Sequence, residues 1–242
     1  MDGSLSVLAG GVLDIGTAAS PIPANLTAHL GFNVSSDRFF SSNDPNDPFF
    51  QAGPNPQMPD YHPEDVGLWA MGAGSSVSLH GASKPFIWTR LGAKALAGSN
   101  QIDLTDAPIG WRVGDSILIS PTGLEHDEGE VHRIVGIAGK RITLQDPLQF
   151  NHDGRLFGYD PVTDTRRAIS DESQLAGGEV LLRLQAEVAL LSHNVIVASN
   201  KVQPGDSNRR AHTAAMMGAG VSMAYAEFRD LGPRGKLGRY PI

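Results

Sequence analysis

Glu179-Val-Leu-Leu-Arg-Leu184, Glu187-Val-Ala-Leu-Leu-Ser192 and Asn194-Val-Ile-Val-Ala198 follow one another almost without a gap late in the chain. Each is a short, near-continuous apolar run. Helical spacing fits Gln185 to Leu191 only if the β-branched neighbours are ignored, so strands are the better reading. Strands buried on both faces read as unbroken apolar runs and belong to parallel sheets. The stretch therefore predicts parallel strands in quick succession.

Working outward, Leu5-Ser-Val-Leu-Ala-Gly-Gly-Val-Leu-Asp-Ile-Gly16 gives two short strands parted by Gly10-Gly11. Short strands with one tight glycine turn between them are what a coil of a β-solenoid looks like. A polar, proline-rich loop is expected from residue 20 to 63, with the aromatic pairs Phe39-Phe40 and Phe49-Phe50 pinning it or offering a sugar platform. Leu68-Trp-Ala-Met-Gly72 and Ser76-Val-Ser-Leu-His-Gly81 return to strand, the second with one buried and one polar face. Ile102 to Gln145 supplies four more strand candidates, the last two joined by Ala138-Gly139-Lys140 as a hairpin. Residues 156–178 read as loop. Val221 to Phe228 reads as one strand, and no helix is convincing.

Composition narrows the classes. The 242 residues carry 28 glycines and 16 prolines with 40% apolar residues, which favours a turn-rich all-β core. A net charge of −7 and no long Lys/Arg block give no electrostatic support to a nucleic-acid partner. Local basic clusters leave an acidic polysaccharide open. There is no cysteine, which excludes disulfides and thiol chemistry. No run approaches the roughly 18 apolar residues of a transmembrane helix, and the N-terminus lacks the features of a signal peptide.

Several clusters could carry chemistry. His126, Asp127, Glu128, Glu130 and His132 are the densest ionisable group. Glu130 and His132 fall on one face of a strand. They could bind a divalent metal or act as acid and base, or form an ordinary solvated hairpin loop. Asp44 and Asp47, with Asn43 and Asn46, offer oxygen ligands of the kind calcium prefers; Asx-Pro turns explain them equally well. No cofactor is required by any motif. Gly114-Asp-Ser116 and Gly205-Asp-Ser207 resemble the nucleophile block of some esterases, but both fit structural turns, and no Gly-x-Ser-x-Gly elbow occurs.

Four stretches taken in order resemble the G8-domain proteins, a family that includes fibrocystin-like receptors, hyaluronan-depolymerising cell-surface proteins and bacterial secreted homologues. They are Gly11-Val-Leu-Asp-Ile-Gly-Thr17 with Pro21-Ile22, and Leu79-His-Gly81 with Lys84-Pro85 and Trp88. Gly110-Trp-Arg-Val-Gly-Asp-Ser-Ile-Leu-Ile119 with Ile142-Thr-Leu144 follows, and then Arg183 through Val197. The resemblance implies a right-handed parallel β-helix. Its expected layout is coils at 1–100, a small antiparallel β insertion at 101–150 and continuing coils at 151–242. It also implies an extracellular or cell-surface, polysaccharide-engaging module, either part of a glycan-depolymerising lyase or hydrolase or a non-catalytic adhesion spacer. An ester hydrolase is a weaker alternative.

On that resemblance, the residues to examine lie near the late coils. Asp230, Arg239, Tyr240 and His212 are the candidate acid, base and charge-stabilising groups, and Arg209, Arg210, Arg234 and Lys236 the candidate substrate-binding cations. The chain has the look of a fragment, because the family's coils continue beyond such a tail. Open solenoid ends leave apolar faces and strand edges bare, which predicts self-association through them.

Overall fold

A computed structural model of the chain describes residues 1, 3–34, 66–123, 125–200, 209–234 and 239–242. In chain order the first strands are β1 (Leu5–Val7), β2 (Val12–Ile15), β3 (Ala28–Asn33), β4 (Gly67–Met71) and β5 (Ser76–His80). Next come β6 (Trp88–Arg90), β7 (Gln101–Asp103), β8 (Ser116–Ile119), β9 (Glu130–Ala138) and β10 (Arg141–Leu144). They are followed by β11 (Leu156–Asp160), β12 (Thr165–Ile169), β13 (Val180–Arg183) and β14 (Glu187–Leu190). The last four are β15 (Val195–Asn200), β16 (His212–Met216), β17 (Gly220–Ala224) and β18 (Ala226–Arg229). Among the described residues the only helical pieces are two three-residue 3-10 turns, His126–Glu128 and Glu172–Gln174. The protein is all-β.

Two compact units share these strands: residues 1–83 with 193–242, and residues 84–192. In the first unit β1, β4 and β16 form one sheet, β2, β5 and β17 a second, and β3, β15 and β18 a third. Every pairing in these three sheets is parallel. The chain visits the three sheets in the same order three times. Inward rows such as Leu13–Val77–Val221 and Ile15–Leu79–Met223 stack along the second sheet. Val77 and Leu79 on the middle strand are buried, whereas Val221 and Met223 on the outer strand are 43% and 40% exposed. Burial therefore depends on having a neighbour on both sides.

The corners explain some of the glycines. Gly16 has φ +77°, and a Cβ there would lie 2.3 Å from the carbonyl oxygen of His80. Only glycine fits so close an approach in that conformation. Asn194 ties another corner: its Nδ2 donates to the carbonyls of Ile22, Pro23 and Leu26, and its Oδ1 accepts from the Ala82 N–H.

Two single residues, Met1 and Tyr240, also touch strand edges. The Met1 amino group donates to the Gly31 carbonyl, and the Asn33 N–H donates to the Met1 carbonyl, along β3. At the other end, the Thr213 N–H of β16 donates to the Tyr240 carbonyl at 3.0 Å.

The second unit is antiparallel throughout. Its six-stranded sheet runs β6-β14-β8-β9-β10-β7, and β12-β11-β13 form a separate three-stranded sheet. Leu91, Ile102, Ile117, Ile119, Ile134, Ile142 and Val188 fill its core. The unit is wider than the 101–150 insertion expected from sequence, because β6 and β14 complete the sheet begun by β8.

The decisive stretch thus divides. Of its three apolar runs only β15 is parallel. β13 and β14 are antiparallel strands of the second unit. Alternating burial along β14 shows the reason: Val188 and Leu190 face the core while Glu187 is exposed. The expected loops at 20–63 and 156–178 also contain strands, β3, β11 and β12. The expected single strand from Val221 to Phe228 is broken at Tyr225, whose φ of 53° turns the chain from β17 into β18.

Candidate functional site

The exposed run Pro85-Phe86-Ile87-Trp88 leads into β6, at the edge of the six-stranded sheet. Trp88 and Arg90 lie two residues apart and so share a face, while Thr89 between them is buried. Trp88 is 46% exposed, and the Arg90 guanidinium carbon sits 4.7 Å from the centroid of its ring. Beside this pair lies a groove of about 330 Å³ that also takes in Phe86, Thr105, Asp106, Arg183 and Gln185.

The polar groups of the groove are held from below. Thr89 Oγ1 donates to Asp106 Oδ2 at 2.9 Å. Gln185 Nε2 donates to the Leu91 carbonyl at 2.9 Å, which fixes the amide against the sheet. Arg90 reaches Glu187 at 3.5 Å across the β6–β14 ladder, and Arg183 pairs with Glu172. The groove therefore offers an open aromatic surface beside a carboxylate, an amide and two guanidinium groups. A pyranose ring needs the same combination: a flat apolar face to stack on and a few fixed donors and acceptors for its hydroxyls. In the sequence Trp88 belongs to a stretch that resembles the G8-domain proteins, with nothing there to mark a binding role. Its exposure follows from its place on an edge strand, which the sequence alone does not announce.

The residues singled out from sequence are dispersed. Asp44, Asp47 and Lys236 lie outside the described residues. Asp127 is exposed in the short turn that begins at His126. Glu130 and His132 do share a face of β9, but that face is the core. Glu130 accepts from His132 Nε2 at 3.1 Å and His152 Nε2 at 3.0 Å. It also accepts the N–H groups of Gln149 and Phe150, each at 2.8 Å. Burial pushes its carboxyl up, but these hydrogen bonds outweigh that and hold it below the usual range. Glu130, His132 and His152 thus form an internal network, while the turn before them, with Glu125, Asp127 and Gly129, is exposed. Among the described residues no set of three or more His, Cys, Asp and Glu side chains is placed to hold a metal ion.

His212 and Arg239, two of the candidate acid, base and charge-stabilising groups, are interior residues at 0% and 2% exposure, out of reach of a substrate. The His212 ring meets Trp69 edge-on at 4.6 Å, and the Arg239 guanidinium carbon lies 5.4 Å from the Trp69 centroid. Burial, with the Arg239 charge adding to it, lowers the His212 pKa to about 3. Asp230 is tied to Arg210 at 3.8 Å, Arg209 and Arg234 are exposed, and Tyr240 is half exposed. The four candidate acid–base residues do not converge on one open cavity. Ser116 of the first Gly-Asp-Ser lies in β8, with its N–H bound to Ser192 Oγ. The second Gly-Asp-Ser lies outside the described residues.

Comparison with known proteins bears on kinship, not chemistry. The chain is similar to mouse fibrocystin-L. It is 29% identical to that protein over 202 residues, which is 81% of this chain and 4% of the relative. A G8 domain-containing protein of Dictyostelium discoideum is 29% identical over 176 residues, 72% of this chain and 13% of that one. The chain thus corresponds to a small part of each relative. No family model matches it. Among solved structures, the tailspike gp61 of Pseudomonas phage phi297 aligns with a TM-score of 0.31 and 11% identity. That alignment covers 82% of this chain and 26% of the tailspike. A likeness so low transfers no property.

Proposed function

We propose that the chain is a polysaccharide-engaging module of an extracellular or cell-surface protein, holding glycan along the Trp88 groove. In this reading the three rounds of parallel strands are coils of a right-handed β-helix. The observation that carries it is the exposed Trp88 ring, backed by Arg90 and bordered by Asp106 and Gln185. Kinship with G8 domain-containing proteins supports the same direction.

Between binding and depolymerisation, the binding role is favoured. His212 and Arg239 are buried and Asp230 is paired, so the late-coil residues do not supply an acid and a base to one substrate. Electrophoresis through gels cast with neutral and acidic polysaccharides tests the reading. Retardation by at least one glycan is expected, and Trp88→Ala should abolish it without changing the melting temperature. Free migration in every gel, or unchanged retardation of Trp88→Ala, would refute it.

A further inference from the structure

The second parallel sheet carries a polar row on its outer face. Asp14, Ser78 and Ser222 stand in register across β2, β5 and β17. His80 lies two residues beyond Ser78 and so on the same side. Its Nε2 is 2.8 Å from Ser222 Oγ, while Ser78 Oγ is turned away to the Gly16 carbonyl at 2.8 Å. Ser222 is exposed and His80 only 8% exposed, so the hydroxyl faces solvent with the imidazole held behind it.

The backbone next to this pair is constrained. Ala224 is paired with His80 across the ladder, and Tyr225 follows it in a left-handed conformation that side chains rarely adopt. A Cβ on Gly81 would lie 2.2 Å from the Tyr225 carbonyl oxygen, so the two turns are pressed together. The Tyr225 ring is left 36% exposed, with His193 at 6.3 Å. The result is a serine hydroxyl bonded to a histidine, on a strand that ends at a residue in left-handed conformation. Such outliers collect at functional sites.

We propose that Ser222 and His80 form a nucleophile–base pair that cleaves esters of short carboxylic acids. Ser222 Oγ forms a bond to the acyl carbon while its proton passes to His80 Nε2. The ester C–O bond breaks, and the departing alkoxide takes that proton as an alcohol. Water then attacks the acyl-serine, giving one proton to His80. The C–Oγ bond breaks, the carboxylic acid leaves, and the proton returns to Ser222. No oxidant, metal or further reactant is needed. The proposal stands independently of the glycan-binding groove.

The test uses a fluorophosphonate probe and p-nitrophenyl acetate with the full chain. The wild type should acquire the probe's mass on the peptide containing Ser222. Ester turnover should fall about 100-fold in both Ser222→Ala and His80→Gln, the size of a general-base contribution. No adduct on Ser222, or equal labelling of His80→Gln, would overturn the assignment. Ser222→Cys gives a second, independent reading, because the chain has no other thiol. Its alkylation by iodoacetamide at pH 7 should be about 10-fold faster with His80 present than in the Ser222→Cys, His80→Gln double variant. Equal rates would overturn the proposal.

Discussion

The guanidinium carbon of Arg90 lies 4.7 Å from the centre of the Trp88 ring, on the same face of one edge strand. The contact covers one ring face with a cation and leaves the residue 46% exposed. A cation over the ring restricts its motion, so less side-chain freedom is lost when a ligand stacks on it. Arg90→Ala should leave the fold intact and weaken glycan retention by about 0.5–1 kcal/mol, as read by isothermal titration. A complete loss of binding would mean that Arg90 contacts the glycan directly.

Glu130 is the opposite kind of polar residue. It is 6% exposed and accepts from two imidazoles and two backbone N–H groups. Glu130→Ala should cost about 3–5 kcal/mol in urea unfolding, because four donors lose their acceptor in the core. A cost below about 1 kcal/mol would show that the network is not needed by the antiparallel unit.

Acid should weaken the parallel unit through His212. Its pKa is about 3 in the fold and near 6.5 in an unfolded chain, so between those values the unfolded state binds more protons. The contribution is fully present above about pH 6.5 and is lost as the pH falls toward 3. Melting temperature should therefore drop between pH 6.5 and 4.5, with a slope of up to about 1.4 kcal/mol per pH unit. His212→Phe, which keeps a ring against Trp69, should flatten that window. Glu130, whose carboxyl is held low, acts only at more acid pH and would be unchanged. An identical slope in the variant would contradict the buried, neutral histidine.

At the Gly16 corner, alanine would place a Cβ 2.3 Å from the His80 carbonyl in a left-handed conformation. Gly16→Ala should destabilise the parallel unit by about 2–3 kcal/mol, measured by chemical denaturation. Gly10, also left-handed but with open space around it, should tolerate alanine better. Equal costs would mean that the close approach at Gly16 does not exist.

The strands were largely legible where burial alternates or runs unbroken, as in β4, β5, β9 and β10. The partner of each strand was not. Val188-Ala-Leu190 and Val195-Ile-Val197 look alike as text, yet the former pairs antiparallel in the second unit and the latter parallel in the first. Pairing depends on long-range register, and no local signal distinguishes the two. Short strands rich in Gly, Asn and Arg, such as β3 and β12, were hidden because they are stabilised by neighbours and not by propensity.

The site was less legible. Charged residues drew attention at Glu130, His132, His212 and Arg239, but the fold buries all four and satisfies Glu130 and His132 with each other and with His152. In the sequence Trp88 stands only as part of a stretch that resembles the G8-domain proteins. Its position on the edge strand β6 exposes it, and only the sheet order reveals that.

Indole N–H resonances offer the most direct test of a Trp88 glycan surface, since the chain has three tryptophans and the other two, Trp69 and Trp111, are buried. In an amide correlation spectrum titrated with oligosaccharides from a retained polysaccharide, the Trp88 indole signal should shift progressively while that of Trp69 stays fixed. A saturating titration that leaves Trp88 unmoved would contradict the account.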